Sequence, residues 1–581
     1  MYTFHFSFNP FLAKAPHRCN AFRRASSPAA TASFPFRALR GTDSNPSIMN
    51  MLARSARRSL STVSAARRSL STVSAARKPT LTFSDPALAF SGYSAVELLR
   101  GAAVLTACNQ PLIVRNAESL LSIADRLIGR VATETLLRHS FFGHFCAGET
   151  ETAIAPKLQS LRSCGVGGIL DYAAEADLDS DQSAPSEVNQ PSRVYPFLNE
   201  DVCDANKRIF LTAVEAVHAT TPEGFAAVKV TALGDPALLE RVSTAVLQLR
   251  AFFYTLDTSG RGVLSRQSFL DGWREAFDIS DDETSTLFDR IDVDIDGEVD
   301  IVEFMNALPL EDIGPLVERC RSRGPLFHSA LDADECAALE RMLGRLDEVA
   351  TAARELGVRL MIDAEHTYFQ PAIDHAVLRL SRAHNTEYPA VFGTYQAYLV
   401  DCVSRLEQDL DRARREGWHL GAKLVRGAYM VHERTRAAER GYADPIQPSL
   451  EATHASYDAA IDALLLHCPC PERTSVMIAS HNQASVERVA ELLLDGEAGG
   501  RASRVPHDRV YFGQLLGMSD HLTFTLAGQG LKAYKYVPYG PIREVLPYLI
   551  RRAQENADAL SGATEQRNMM LAEVRRRALG F

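Results

Sequence analysis

Two adjacent arginines near the end of the chain are strong candidates for chemistry. In the segment LKAYKYVPYGPIREVLPYLIRRAQEN, an apolar strand pattern that places Tyr536 at its end is followed by a short helix with Arg551, Arg552 and Glu555. An arginine presents a planar fork of donors that matches a carboxylate through two hydrogen bonds. On a helix, Glu555 lies close enough to hold either arginine in place. The pattern favours a carboxylate-binding site, and a solvated helix face is the alternative.

A second candidate site lies in the acidic loop DVDIDGEVDIVE, residues 292–303. An EF-hand calcium loop needs oxygen ligands at positions 1, 3, 5, 7, 9 and 12 and a glycine at position 6. The predicted calcium ligands are Asp292, Asp294, Asp296, Glu298, Asp300 and Glu303. A related loop beginning at Asp257 carries Arg261 and Ser268 at ligand positions, so we expect it to complete an EF-hand pair without binding calcium well. The alternative is an insertion that switches nothing.

Eight short apolar, β-prone segments, most of them followed by a helical pattern, would position these side chains. They are GVGGILDYA, FAAVKVTAL, VRLMIDAE, AVFGTYQAYL, GAKLVRGAYM, SVMIASHN, RVYFGQLLGM and KAYKYVPYG. Alternating strands and helices indicate parallel βαβ units, and eight of them predict an α/β protein with a (β/α)8 barrel. A doubly wound sheet is the alternative, although no GxGxxG turn follows any of the strands. Several segments end in polar residues, and such barrels carry their active sites at that end of the strands.

The chain divides by pattern into six predicted parts. Residues 1–78 contain thirteen lysines and arginines and a single acidic residue, which is typical of a mitochondrial transit segment. A chloroplast segment or a disordered basic arm is the alternative, and Met49 or Met51 is an alternative start. We expect an N-terminal helical region at 79–162, the first part of the barrel at 163–242, an all-α EF-hand pair inserted at 243–310, the rest of the barrel at 311–562, and a C-terminal helical tail at 563–581.

Composition argues against two classes of partner. The net charge of −10 gives no sign of nucleic-acid binding. The longest apolar patterns are interrupted by charges before they reach the roughly 18 residues that a membrane-spanning helix requires. We therefore expect neither nucleic-acid binding nor a spanning helix.

The strand ends resemble those of the proline dehydrogenase family of flavin-dependent enzymes. KVTALG, MIDAE, TYQAYL, KLVRGAY, ASHN, QLLGM, YKYVPYG and YLIRRAQEN follow the family's order between about Phe141 and Gly562. The mitochondrial members are most similar, since KLVRGAY stands where bacterial members usually read RLVKGAY. The resemblance implies FAD-dependent oxidation of L-proline to 1-pyrroline-5-carboxylate, with electrons passed to a membrane quinone. It also implies a location on the matrix side of the inner mitochondrial membrane, in peripheral contact with it.

The resemblance further implies which residues contact the cofactor. Lys423 would lie near the flavin N5 side, and Arg426 and Gly427 would bind the phosphate or ribityl groups of FAD. Tyr429 would line the same wall. The remaining implied contacts are the Gln396 amide with the flavin ring, Ser480 and His481 at the sixth strand, and the backbone at Ala364.

The substrate residues follow from the same resemblance. Lys229, Arg551 and Arg552 would hold the proline carboxylate, while Leu515 and Tyr536 would cover its ring. Asp363 would be the catalytic carboxylate that orients the basic residues, with Lys423 beside it, and Glu365 would pair with a nearby cation.

Three alternative functions remain open at the level of sequence. A bulky phenol at Tyr536 should crowd a 4-hydroxyl group, which favours proline over hydroxyproline, but a hydroxyproline dehydrogenase of the same family is one alternative. A calcium-responsive scaffold with an inactive barrel is the second. A barrel enzyme that binds a phosphate ligand is the third, and it would need a glycine-rich loop after the last strands.

Overall fold

The computed structural model describes residues 81–173, 197–221, 223–310, 313–494, 502–558 and 560–580. The predicted transit segment therefore lies outside the described residues. In chain order the helices are α1 Pro86–Ala89, α2 Ala95–Cys108, α3 Pro111–Arg115, α4 Ala117–Ile128, α5 Arg130–His139, α6 Phe141–Phe145, α7 Glu151–Ser163, α8 Glu200–Thr220, α9 Pro236–Leu256, α10 Arg266–Ala276, α11 Asp281–Ile291, α12 Ile301–Ala307, α13 Gly314–Val317, α14 Pro325–Ser329, α15 Ala333–Glu355, α16 Gln370–His384, α17 Cys402–Glu416, α18 Met430–Arg440, α19 Leu450–Ile461, α20 Gln483–Leu494, α21 Asp520–Gly528, α22 Leu546–Asp558 and α23 Leu560–Leu579.

Eight parallel strands close into a barrel, which confirms the predicted fold. The strands of the structure are β1 Val166–Tyr172, β2 Phe225–Val228, β3 Val263–Ser265, β4 Glu298–Asp300, β5 Arg359–Ile362, β6 Val391–Gln396, β7 Leu420–Val425, β8 Thr474–Ala479, β9 Val510–Leu515 and β10 Lys532–Tyr539. The barrel order is β1-β2-β5-β6-β7-β8-β9-β10, and β10 closes back on β1 in parallel register. Each of the eight predicted segments contains one barrel strand, to within one residue at the start of β7 and of β8.

Aromatic rings fill the end of the barrel at which the strands begin. Phe225 lies edge-to-face against Phe392, Tyr511 and Tyr534, with ring centroids 5.2 to 5.4 Å apart. These residues stand near the starts of β2, β6, β9 and β10, and all four are buried. Side chains alternate between inward and outward along each strand, so residues at the carboxyl ends of the strands also point into the barrel. They lie further along the strands than this aromatic cluster. Within the barrel, the aromatic cluster therefore leaves space for a ligand at the carboxyl ends of the strands.

The last strand and the helix after it depart from the sequence expectation. β10 continues to Tyr539, so Tyr536 lies inside the strand and not at its end. The strand extends because β1 pairs with it along its whole length up to Tyr172. Arg551 and Arg552 lie within the longer helix α22, which contacts α2, α3, α6 and α23. The N-terminal helices and α22 thus form one layer over the carboxyl ends of the strands.

A helical unit with its own core lies between β2 and β5. Its core contains Phe253, Phe269, Trp273, Phe288 and Phe304. The strands β3 and β4 pair antiparallel, so the two loops that precede them lie side by side. The long helix α9 belongs to both cores: its first half packs on the barrel and its second half packs in this unit. Residue 243, where the sequence pattern placed the start of the insertion, lies within that continuous helix.

None of the helices within the described residues is long and apolar enough to cross a membrane.

Candidate functional site

A cavity of about 420 Å³ opens at the carboxyl ends of the barrel strands. All fifteen residues predicted to bind substrate or cofactor line this cavity: Lys229, Asp363, Ala364, Gln396, Lys423, Arg426, Gly427, Tyr429, Ser480, His481, Leu515, Tyr536, Arg551, Arg552 and Glu555. The fold therefore brings together residues from seven barrel strands, or from the loops directly after them, and from one helix. Their individual roles stay predictions.

Asp363 joins several of these groups. It follows β5 directly, and its carboxylate accepts a hydrogen bond of 2.6 Å from Lys423 Nζ and one of 2.6 Å from the Tyr536 hydroxyl. Burial alone would raise the pKa of Asp363, but the ammonium groups of Lys423 and Lys229 hold it below its usual value. Asp363 is therefore an anion at neutral pH, and it fixes the positions of a cation and a phenol.

Lys229 lies on the same side of the cavity, just after β2. Its Nζ is 3.6 Å from Asp171 Oδ1 and 3.9 Å from Asp363 Oδ2. The side chain is buried, and a buried ammonium group stays charged only beside a carboxylate. Two anions thus position one cation at the cavity wall.

The two arginines of α22 enter the cavity from above. Tyr548, Arg551, Arg552 and Glu555 share one helix face because they lie three, four and seven residues apart. Arg552 Nη2 is 2.5 Å from Glu555 Oε1, and its guanidinium lies 4.8 Å from the centre of the Tyr548 ring. Both arginines are less than a tenth exposed. A pair of buried guanidinium groups that faces a cavity can bind a carboxylate.

Arg426 forms the centre of the opposite wall. Its guanidinium donates hydrogen bonds to Ser480 Oγ at 2.8 Å, Ser485 Oγ at 2.8 Å and His454 Nδ1 at 3.0 Å. It also stacks 4.2 Å from the centre of the Tyr457 ring. Within the described part of the chain no carboxylate pairs with Arg426, and burial lowers its pKa from the ordinary value. A positioned cation with neutral partners fits the phosphate or ribityl groups of FAD.

The backbone beside Arg426 requires glycine. Gly427 has a φ of +130°, and a Cβ there would lie 2.3 Å from the Tyr398 ring. Any side chain would therefore displace Tyr398 or the strand end. Glycine therefore lets this part of the cavity wall pack closely against Tyr398.

Two further side chains add neutral hydrogen-bonding groups. The Gln396 amide donates to the Glu365 carbonyl at 3.1 Å. His481 Nε2 accepts from the Leu515 amide at 3.4 Å, so Nδ1 carries the proton and donates to Ser519 Oγ at 3.0 Å. Loss of water around the ring, together with Lys535 and Arg552 nearby, lowers the pKa of His481 to about 3. A neutral imidazole and an amide suit the polar edge of a flavin ring.

Several cavity residues were not singled out from the sequence. Asp171 is the next-to-last residue of β1, and the rule that polar residues near strand ends mark the site would have found it. Tyr548 shares the helix face of Arg551 and could have been found from helical spacing. Gln514 lies in the QLLGM segment, but its hydrogen bond to the Ser480 carbonyl depends on β8 and β9 being neighbours. Glu365, expected to pair with a cation, accepts hydrogen bonds from the Thr231 amide and hydroxyl and does not line the cavity.

The acidic loop has the backbone geometry of a cation loop. Carboxylate oxygens of Asp292, Asp294 and Asp296 lie within 4.8 Å of one another. Gly297 has a φ of +83°, and its amide donates to Asp292 at 3.0 Å. Glu303 turns back toward the loop and accepts from the Val293 and Asp300 amides. These oxygens fit a calcium ion, and calcium binding stays a prediction.

The chain is similar in sequence to known proteins. The profile of the proline dehydrogenase family matches residues 156–565. The chain belongs to the proline dehydrogenase family. It is 36% identical over 560 residues to mitochondrial proline dehydrogenase 1 of Homo sapiens, which covers 86% of this chain and 90% of the relative. It is 33% identical over 505 residues to hydroxyproline dehydrogenase of Xenopus laevis, with coverage of 86% and 90%.

Among solved structures, proline utilization A of Bdellovibrio bacteriovorus is similar with a TM-score of 0.49 and 16% identity. The alignment covers 81% of this chain and 38% of that longer chain. Family membership thus rests on the sequence matches, and the closed barrel is seen directly in this structure.

Proposed function

We propose that the chain oxidises L-proline to 1-pyrroline-5-carboxylate with FAD and passes the electrons to a quinone. The observation that carries the proposal is the composition of the cavity at the carboxyl ends of the strands. Its upper side presents Arg551 and Arg552, which suit a carboxylate, and its deeper side holds Asp363 with Lys423 and Tyr536. A small amino acid that carries one carboxylate fits between these groups.

FAD would be held along the wall formed by β6, β7 and β8. Arg426 and Gly427 would contact its phosphate or ribityl groups, and Gln396 would contact its ring. Ser480, His481 and the Ala364 backbone would also contact the cofactor, and Tyr429 would line the same wall. Lys423 would stand at the N5 side. When bound, the flavin accepts the hydride that leaves the proline ring.

The chain's own residues orient the substrate. Lys229, Arg551 and Arg552 hold the carboxylate, and Glu555 keeps Arg552 in place through the 2.5 Å ion pair. Leu515 and Tyr536 cover the ring and exclude water from the reacting carbon. Asp363 stays ionised and orients Lys423 and the Tyr536 hydroxyl, which fixes the direction from which the substrate approaches.

Proline is preferred to hydroxyproline because the Tyr536 ring occupies the space that a 4-hydroxyl group would need. In the experiment, the enzyme oxidises each substrate with a water-soluble electron acceptor, and the product is trapped and quantified. The wild type should favour proline, and Tyr536→Ser should reduce that preference by about tenfold. Tyr442→Ser, which alters an exposed tyrosine, is the control. Turnover of hydroxyproline but not proline by the wild type would favour the alternative activity.

We also propose that the acidic loop binds calcium through Asp292, Asp294, Asp296, Glu298, Asp300 and Glu303 and that calcium modulates the enzyme. Asp300 forms a 2.5 Å ion pair with Arg415 of α17, the helix that leads into β7 and Lys423. Calcium and Arg415 therefore act on the same carboxylate. Proline kinetics of Glu303→Gln should not respond to a calcium titration, whereas the wild type and the exposed control Glu275→Gln should. A wild type that ignores calcium would make the insertion purely structural.

We infer a mitochondrial location, on the matrix side of the inner membrane and in peripheral contact with it. The name of the human relative and the composition of residues 1–78 support this proposal. Residues 1–78 fused to a fluorescent protein should direct it to mitochondria. Diffuse or chloroplast fluorescence would contradict the assignment.

A further inference from the structure

Exposed apolar side chains are concentrated on four consecutive helices, α2 to α5. Of the 22 large apolar side chains that are exposed in the described residues, ten lie between residues 95 and 139. These ten residues, named here the apolar face, are Val96, Leu99, Leu112, Ile113, Leu120, Ile123, Leu127, Ile128, Val131 and Leu136. Leu112, Leu127 and Val131 are more than three-quarters exposed. Such a concentration marks an interaction surface.

The helix α4 is the clearest part of this surface. None of its twelve residues, all of which the structure describes, is buried. Its apolar residues lie along one side and Glu118, Ser122, Asp125 and Arg126 lie along the other. Packing against the rest of the protein contributes little to the stability of such a helix. Its apolar side chains are therefore available to contact an apolar surface outside the protein.

Polar contacts fix this helix to the barrel. Arg543, in the turn before α22, donates to both oxygens of Asp125 at 2.8 and 3.0 Å and to Glu134 at 2.7 Å. These contacts orient α4 and α5 while leaving their apolar residues outside. Arg543 thus pairs with two of the three acidic residues between 109 and 139, and Arg130 also pairs with Glu134. Arg115, Arg126 and Arg130 are exposed. The surface is therefore apolar with a basic edge, in a chain whose net charge is −10.

The apolar face lies next to the cavity. Val114 of α3 and Leu137 of α5 pack in one cluster with Tyr548, Leu549 and Ala553 of α22. The same helix carries Tyr548, Arg551 and Arg552 into the cavity wall. A surface bound to the apolar face would thus be separated from the cavity by a single layer of helices.

We propose that the apolar face docks on the surface of an anionic lipid bilayer, with α4 lying in the interface. Amphipathic helices with arginines beside an apolar side bind at the boundary between headgroups and acyl chains, and basic residues favour anionic lipid. The assignment rests on the proposed function, because a quinone acceptor is dissolved in the bilayer. A second copy of the chain fits less well, since arginines of the same sign would then face one another.

The test is sedimentation of the purified full-length chain with vesicles of phosphatidylcholine, with and without phosphatidylglycerol. The variant Leu112→Ser/Leu127→Ser/Val131→Ser should bind anionic vesicles on the order of tenfold more weakly than the wild type. Leu247→Ser/Tyr254→Ser, which alters exposed apolar residues of α9, should bind as the wild type does. Proline oxidation with a water-soluble acceptor should be equal in all three proteins.

Four outcomes would overturn the proposal. In the first, the wild type does not bind vesicles. In the second and third, the triple variant binds as well as the wild type, or salt abolishes binding while the triple substitution does not affect it. In the fourth, the triple variant changes its oligomeric state but still binds vesicles. If the wild type does not oxidise proline with the water-soluble acceptor, that result counts against the proposed function instead, because this assay needs no membrane.

Discussion

At the scale of single residues, the site depends on buried charges that compensate one another. Asp363 is placed between Lys423 and Lys229, and Asp171 supports Lys229 from the other side. Removing one partner of a buried ion pair destabilises the protein by more than the intact pair stabilises it, because the remaining charge is buried without a counter-charge. Kinetics at this site should therefore be sensitive to substitutions that preserve shape but remove charge.

Asp363→Asn tests this dependence directly. The amide keeps the size of the carboxylate but leaves Lys423 and Lys229 without the shared anion, so kcat/KM for proline should fall by about a hundredfold or more. Steady-state kinetics with a soluble acceptor measures the effect. Asp334→Asn at an exposed position of α15 is the control, and near-wild-type kinetics in Asp363→Asn would remove Asp363 from the mechanism.

At the scale of elements, β10 contributes one residue to the cavity wall and another to the contacts that hold the surrounding helices on the barrel. Tyr536 faces the cavity, whereas Lys535 points away from the barrel axis toward α21. Lys535 Nζ lies 2.7 Å from Asp520 Oδ1 and donates to the Met518 carbonyl at 2.7 Å. Asp520 also accepts from Tyr93 and from Gln566. One buried ion pair thus links a barrel strand to the N-terminal and C-terminal helical regions.

Lys535→Met should destabilise the protein by about 3 to 5 kcal/mol, because it leaves the buried Asp520 without its cation. Lys535→Met/Asp520→Leu should be less destabilised than the single variant, since the double variant carries no uncompensated charge. Urea unfolding of both variants gives the comparison. A double variant that is much less stable than the single one would show that Asp520 matters mainly for its other hydrogen bonds.

The elements differ in how well the sequence predicts them. The eight strands were predictable because each is a short apolar run with turn residues on either side, and polar strand ends such as Gln396 and Ser480 indicated the face of the site. The β-prone run KAYKYVPYG extends past Tyr536, but the end of β10 was not predictable, because it depends on pairing with β1. The partners of Glu365 and Lys535 were not predictable either, since they come from segments distant in sequence. The apolar residues of α4 indicated a helix, but only the fold shows that they are not covered.

At the scale of the whole molecule, the N-terminal helices, the barrel and α23 meet around His144. This histidine is buried on α6, next to Gly517 after β9 and Met570 of α23. Its pKa is lowered to about 4, mainly by burial; Arg100 and Lys157 contribute to the lowering, and Asp520 and the Gly517 backbone oppose it. The folded protein therefore keeps His144 neutral in a range where the unfolded chain binds a proton.

This burial makes stability depend on pH. The folded-state pKa lies below the unfolded value of about 6.5, so the stabilisation is complete above pH 6.5 and is lost as the pH falls toward 4. Between pH 7 and pH 5 the loss from this group should be about 2 kcal/mol. His144→Gln, measured by urea unfolding at both pH values, should show a smaller loss than the wild type. His139→Gln, at an exposed position, is the control, and an unchanged loss in His144→Gln would contradict the account.

The central claim is that the cavity holds a flavin that proline can reduce. The most direct measurement is the visible absorption spectrum of the purified protein, before and after proline is added without oxygen. The account predicts oxidised-flavin bands that bleach with proline and bleach less with hydroxyproline. Flavin bands that do not respond to proline would contradict the substrate assignment. Well-folded protein without flavin absorption would contradict the function itself and would favour a scaffold with an inactive barrel.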